Sequence, residues 1–337
     1  FRIMLTWGII SCAMALVTGP SSFFSLRFLL GVAEAGFFPG MILYLSYWFP
    51  RSVRARFTAQ FLVAIPLASI LGSPLSGLIL GMDGFGGLAG WQWLFVLEGA
   101  PAVLLSFVVL AYLPNGPASA RWLSKDEKQV ITDALAREAS ADHTSLGRAL
   151  VDGRVWLLAL IYFGVVVGLY GIGLWLPQIV KAMGFSNLQT GFVVAAPYVA
   201  AILVMVGWGH ASDKRGERIW HVALPAFLGA AGFVIAGLMD ADIVSLMALT
   251  LAAIGIYAAL APFWSLPGAF LGGTAAAGGI AFINSVGNLG GFLGPVMVGV
   301  LKGTGGGYGA GMTALGIALA VAGLAVLALG QLRGKAS

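Results

Sequence analysis

The sequence predicts an all-α integral membrane protein, and three observations predict it. Of 337 residues, 59% are hydrophobic and only 9% are charged, against roughly 25% charged in an average globular domain. The mean hydropathy is +0.96. The apolar residues also fall in continuous runs separated by charged clusters, each close to the roughly 20 residues that an α-helix needs to cross a bilayer. So few charges cannot cover the surface of a water-soluble enzyme of this size. A β-barrel would alternate polar and apolar residues every second position, which these runs do not.

Ten spans follow from the gaps between charges: 2–19, 22–48, 55–81, 91–113, 154–177, 189–211, 219–239, 243–265, 275–300 and 309–332. The stretch from Ile243 to Leu301 carries no charge; it divides at Pro267, Gly268, Gly272 and Gly273, a turn signal. Between the fourth and fifth spans runs a polar insertion, Asn115 to Asp152. Its Ser124, Asp126 and Glu127 followed by Val130, Ile131 and Leu135 predict a short amphipathic helix in a solvated connector. The predicted organisation is therefore a four-span block at 1–113, a cytoplasmic connector at 114–153 and a six-span block at 154–337.

Orientation comes from the basic residues. With the first residue on the cytoplasmic side, Arg2, Arg51, Arg54, Arg56, Arg121, Lys125, Lys128, Arg137, Arg148, Arg154, Lys214, Arg215, Arg218, Arg333 and Lys335 fall inside. Lys181 and Lys302 fall outside and Arg27 lies within a span. This satisfies the positive-inside rule and puts both chain ends in the cytoplasm of a multi-pass protein of the cell (inner) membrane. The net charge of +5 thus reports topology and gives no reason to expect nucleic acid. The single cysteine, Cys12, excludes an intrachain disulfide framework. His143, His210 and His221 lack the cysteines or carboxylate cluster that a metal site requires. The sequence contains neither H-E-x-x-H nor G-x-S-x-G, so nothing argues for a hydrolytic enzyme.

Four spans plus six is asymmetric. Many transporters are built of two similar halves with the substrate site between them, and Gly72, Pro74 and Gly77 in the third span echo Gly290, Gly291, Gly294, Pro295 and Gly299 in the ninth. Close helix packing with a proline kink accounts for the same residues. The run RFLLGVAEAGFFPGMILYLSYWFP, carrying Arg27, Gly31, Glu34, Gly36 and Pro39, resembles the fourth helix of the anion:cation symporter family of the major facilitator superfamily. GHASDKRGER, with Gly209, Asp213, Lys214, Gly216 and Arg218, resembles the superfamily's cytoplasmic signature loop in its second-half position. WLPQIVKAMGFSN, with Pro197 and Tyr198 downstream, is similar to the seventh and eighth helices of tartrate, sugar-acid and aromatic-acid carriers. The resemblance covers essentially the whole chain. It implies a twelve-helix major-facilitator-type fold of which ten helices are present, starting at the third. The 337 residues alone are then expected not to transport.

Charges inside a span cost at least about 2.5–3.5 kcal/mol at the centre and mark function by default. Arg27, Glu34 and Glu98 qualify. Arg27 and Glu34, seven residues apart, share one helix face about 10 Å apart along its axis. Arg27 offers a permanently charged guanidinium fork for a carboxylate, or else pairs structurally. Burial disfavours a charged Glu34 and a nearby arginine favours it, so this carboxyl can take up and release a proton; the resemblance implies the same role. The alternative for Glu34 is a hydrogen-bonded packing residue. Glu98 reads as a structural or gating contact, with coupling as its second use.

The second block places no charge in a membrane core, so polar and aromatic side chains must meet the cargo. Asn284 and Asn288, four apart, share a face, and the family's eleventh helix implies Asn284 as a hydrogen-bond partner. Tyr170 and Trp264 are the leading aromatic contacts, with Trp175, Gln178, Tyr198 and Tyr257 as further walls; each is equally a packing or interfacial residue. Asp213, Lys214 and Arg218 are expected to form a salt-bridged latch. The expected function is proton-coupled uptake of a small organic anion, a tartrate-like or sugar acid first, with the proton as coupling ion and no other cofactor. The protein is expected to act as a monomer in the lipid bilayer. The alternatives are an organic-anion exchanger, a metabolite or drug exporter of the same fold, or uptake of a phthalate-like aromatic acid.

Overall fold

The computed structural model describes residues 1–50, 57, 60–139, 146–239, 242–269, 271 and 273–334. Arg51, Arg54, Arg56, His143, Gly272 and Lys335 lie outside them. Among the described residues the regular structure is helical throughout. Among these described residues, nine helices are long and apolar enough to cross a membrane. The tenth expected span, Arg2–Leu16, falls short of this length, because the chain turns extended at Val17 and Pro20 opens the next helix. The chain forms two compact units, Phe1–Thr58 with Leu75–Ala141, and Ala59–Pro74 with Asp142–Ser337.

In the first unit, α1 (Arg2–Ala13) ends in a short 3-10 turn, Met14–Leu16. Pro20 fits at the first helical position of α2 (Pro20–Glu34), where its missing N–H is not needed. Ser22 Oγ accepts from the Thr18 and Gly19 amides at 3.2 and 3.1 Å. The expected single helix over 22–48 is interrupted at Ala35–Gly36, and α3 (Phe37–Trp48) continues the same span. Pro39 has no N–H to return to the Ala35 carbonyl, which is the physical cause of the break.

The fourth helix, α4 (Ala64–Leu80), contains Pro74, and α5 (Gly90–Tyr112) contains Pro101. Helices α1 and α5 approach closely at small residues. A Cβ on Gly99 would sit 2.8 Å from Cys12 Sγ, and one on Gly8 would sit 2.8 Å from Val103 Cγ2. Gln92 tightens the same seam, donating to the Ala15 carbonyl at 2.8 Å. Such backbone proximity replaces the hydrophobic drive that lipid removes. The connector docks by side chains: Tyr44 donates to the Pro114 carbonyl at 2.9 Å, and Trp48 stacks on Trp122, 5.6 Å between centroids and 6° from parallel. Ser124 and Glu127 form a capping box at the start of α6 (Lys125–Ala139), with bonds of 2.8 and 3.2 Å.

The second unit holds α7 (Leu146–Val151), α8 (Gly153–Ala182), α9 (Asn187–Arg215), α10 (Ile219–Leu238), α11 (Ile243–Ser265), α12 (Gly273–Asn288), α13 (Gly290–Leu301) and α14 (Gly307–Gly334). Its core is apolar, with Phe233 and Phe263 fully buried. Helix α10 packs on α11 through Gly255, whose Cβ would lie 2.4 Å from the Gly229 nitrogen. The Pro267–Ala269 segment turns as expected in a 3-10 helix. The expected 275–300 helix is interrupted at Leu289, where Gly290 and Gly291 precede Pro295, so α12 and α13 share one span.

Candidate functional site

Arg27 and Glu34 both stand on α2, which buries none of its residues. Both side chains are exposed on the first unit. The Arg27 guanidinium carbon lies 5.7 Å from the Phe23 ring centroid. A fixed cation and a carboxyl therefore sit two turns apart on an unburied helix face, with the helix break beginning one residue after Glu34. Glu98 on α5 is also exposed and accepts a hydrogen bond from Ser76 Oγ of α4.

In the second unit Tyr170, Trp175 and Gln178 stand on α8, Tyr198 on α9, Tyr257 and Trp264 on α11, and Asn284 and Asn288 on α12. Tyr162 is 93% buried by area and stacks on Phe263, 5.4 Å between centroids, while meeting Trp264 edge-on at 4.8 Å. A Cβ on Gly287 would lie 2.1 Å from Tyr162 Cδ1, and one on Gly291 would lie 3.1 Å from Tyr170 Cδ2. The backbone between Asn284 and Asn288 is thus pressed onto an aromatic plate. Asn284 is buried, whereas Asn288, the last residue of α12, is exposed. Tyr170 is exposed. Trp175 donates to the Pro295 carbonyl at 3.2 Å, and Tyr198 and Tyr257 are buried with rings 6.0 Å apart. Tyr162 is absent from the sequence-derived set; nothing in its apolar surroundings in the sequence separates it from core packing.

The loop after α9 is a compact ionic knot. Gly216 takes the left-handed conformation (φ 64°) that ends α9. Arg218 pairs with Asp213 at 2.6 Å and donates to Ser212 Oγ at 2.7 Å, and Ser212 donates to the Glu217 carbonyl at 2.6 Å. Lys214 makes no ion pair among the described residues. Glu217 caps α10, accepting from the Trp220 and His221 amides at 2.8 and 3.2 Å and from the His221 ring at 2.7 Å. Partial burial pushes the Glu217 carboxyl up, but these hydrogen bonds outweigh it and hold the group below its usual range. Ser212, Glu217 and His221 were not among the expected latch residues, although Glu-x-x-x-His is a one-turn spacing on a helix start. Among the described residues no group of three or more His, Cys, Asp or Glu side chains converges to hold a metal.

A hollow of about 350 Å³ opens elsewhere in the second unit, at the C-terminal ends of α8 and α10 and the starts of α11 and α14. It includes none of the expected site residues.

The description Major Facilitator Superfamily matches residues 1–295. The chain is 51% identical over 334 residues to a "Putative tartrate transporter" of Agrobacterium vitis, covering 98% of this chain and 77% of that one. It is 44% identical over 323 residues to a "Quinolone resistance transporter" of Acinetobacter baumannii, covering 94% and 74%. Among solved structures, a bacterial homolog of the human lysosomal transporter Spinster, inward-facing and occupied, superposes with a TM-score of 0.71 at 17% identity, covering 98% of this chain and 81% of that one. The proton:xylose symporter XylE gives 0.68 at 18% identity, covering 96% and 77%. At these identities the structures speak for the fold.

Proposed function

We propose that this chain, which belongs to the Major Facilitator Superfamily and is a multi-pass secondary transporter and not an enzyme, takes up a small organic anion together with a proton. The observation that carries the reading is the pairing of Arg27 and Glu34 on one unburied face of a membrane helix. A guanidinium fork matches a carboxylate. A carboxyl two turns away under its influence can bind a proton when cargo neutralises the arginine, and release it when cargo leaves. A tartrate-like or sugar acid is the first substrate class, supported by the 51% identity to a protein described as a tartrate transporter.

Asn284, Asn288, Tyr170 and Trp264 would supply hydrogen bonds and walls from the second six-helix half, 154–337, with 1–113 as the partial first half and 114–153 as connector. The Asp213–Arg218 pair would latch one access state, with Lys214 beside it and Glu98 as a gating contact. Both chain ends would be cytoplasmic in the inner membrane, and the protein would act as a monomer.

The test is accumulation of labelled tartrate by vesicles from cells expressing the encoding gene. Glu34→Gln should abolish pH-driven accumulation while leaving counterflow exchange largely intact. Accumulation that survives in Glu34→Gln removes the coupling assignment. Export is the second reading, favoured by the 44% identity to a quinolone resistance transporter. Substrate-dependent efflux of a quinolone without tartrate uptake would select it.

A further inference from the structure

Tyr162 takes no part in the proposed cycle, although it stands against the helix that carries Asn284. Its ring is fixed on three sides. One face stacks on Phe263 with 5.4 Å between centroids, Trp264 meets it edge-on at 4.8 Å, and α12 closes on it at Gly287, where a Cβ would fall within 2.1 to 3.0 Å of three ring carbons. Asn284 precedes Gly287 by three residues on α12. The two positions therefore share one helix face, about 5–6 Å apart at the level of Cβ.

Both residues are buried, with 7% of Tyr162 and 6% of Asn284 left accessible. Their polar ends stay reachable. The Tyr162 hydroxyl and the Asn284 amide make no hydrogen bond among the described residues, and neither is one of the polar groups cut off from solvent without a partner. A phenol donates one hydrogen bond and accepts others, and a carboxamide offers two donors and an acceptor. The charge pattern narrows what they can bind. Helices α11, α12 and α13 carry no charged residue, and the charges of α8 are Arg154 and Lys181 at its two ends. A carboxylate set against neutral partners alone would lose its hydration without gaining a counter-charge. A hydroxyl needs no counter-charge.

We propose that Tyr162 determines specificity: its hydroxyl, together with the Asn284 amide, binds a hydroxyl group of the cargo and so favours hydroxy-carboxylates over carboxylates of the same length that lack one. The assignment rests on the uptake of an organic anion proposed above and names the group that selects among such anions. A ring already fixed by its neighbours loses little freedom on binding. A site built to bond a hydroxyl disfavours the analogue without it, because its own polar groups are then left unpaired.

The experiment is calorimetric titration of the purified full chain in detergent with L-tartrate and with succinate, the dicarboxylate of equal length that has no hydroxyl. Tyr162→Phe removes the phenol oxygen and keeps the stacked ring. Tighter binding of tartrate than of succinate by the wild type, and a preference that falls about three- to tenfold in Tyr162→Phe because tartrate weakens and succinate does not, supports the assignment. Thermal midpoints matched to the wild type exclude misfolding as the cause. Arg27→Ala should weaken both acids alike, which separates the anchor from the selector. An unchanged tartrate-to-succinate ratio in Tyr162→Phe, an equal loss of both acids there, or a wild type with no preference for tartrate overturns the role of Tyr162 and leaves the organic-anion reading standing. A wild type that binds neither acid removes both.

Discussion

Replacing Gly287 by Ala tests whether the contact between α8 and α12 is as tight as the backbone indicates. The added Cβ would stand 2.1 Å from Tyr162 Cδ1, where ordinary contact begins at 3.4 Å, so the ring must retreat by about 1.3 Å. It has little room to do so. One face is stacked on Phe263 at 5.4 Å and an edge meets Trp264 at 4.8 Å. Overpacking of this kind costs about 1–3 kcal/mol, offset by the roughly 0.5–1 kcal/mol that Ala gains over Gly in a helix. A net loss of about 1–2 kcal/mol is expected in denaturant or thermal unfolding of the purified protein. Gly209→Ala is the matched control, since its Cβ would meet only Ala261 Cβ at 3.7 Å; it should be neutral or mildly stabilising. In a Tyr162→Ala background the penalty for Gly287→Ala should vanish, giving a coupling of the same size. Equal stability of Gly287→Ala and Gly209→Ala, or additive single and double variants, would refute the packing argument.

Two further outcomes follow from the ends of α8 and α10. A carboxyl held below its usual range contributes stability above the unfolded-state value, about 4.3 for Glu, and loses it as pH falls through its lower folded-state value. Thermal midpoints of the wild type should therefore drop between pH 5 and acid, and Glu217→Gln should flatten that part of the profile; an unchanged acid limb would contradict the hydrogen-bond assignment at His221. The Asp152 carboxyl accepts from the Arg154 amide at 2.8 Å and caps α8, so Asp152→Ala should cost about 1 kcal/mol, read from the same melts, with Asp152→Asn recovering most of it.

The bilayer-crossing architecture is legible in the sequence because the membrane imposes one rule on every span: enough apolar residues in a row. The turn at Pro267 is legible for a similar reason, since Pro and Gly act locally. The interruptions at Ala35–Gly36 and Leu289 are less so. The first arises from Pro39, four residues after Ala35, which removes a single backbone donor, and the second falls at the Gly290–Gly291 pair ahead of Pro295; the apolar run continues straight through both. The charged candidates Arg27, Glu34 and Glu98 stand out because charge in a span is costly. Their partners do not: Ser76 beside Glu98, Tyr162 beneath Gly287 and Ser212 under Arg218 are ordinary residues until the fold brings them near. Charge alone offers Asp213 both Lys214 and Arg218; Arg218, which follows the left-handed turn at Gly216, is the one that pairs with it.

Where the connector meets the membrane helices, Trp48 lies flush on Trp122. Two indoles held parallel at 5.6 Å absorb light as a coupled pair, and their shared near-ultraviolet dichroism depends steeply on spacing and tilt. The molecule thus carries its own optical gauge of connector docking, readable without a label and lost when either tryptophan is replaced by phenylalanine.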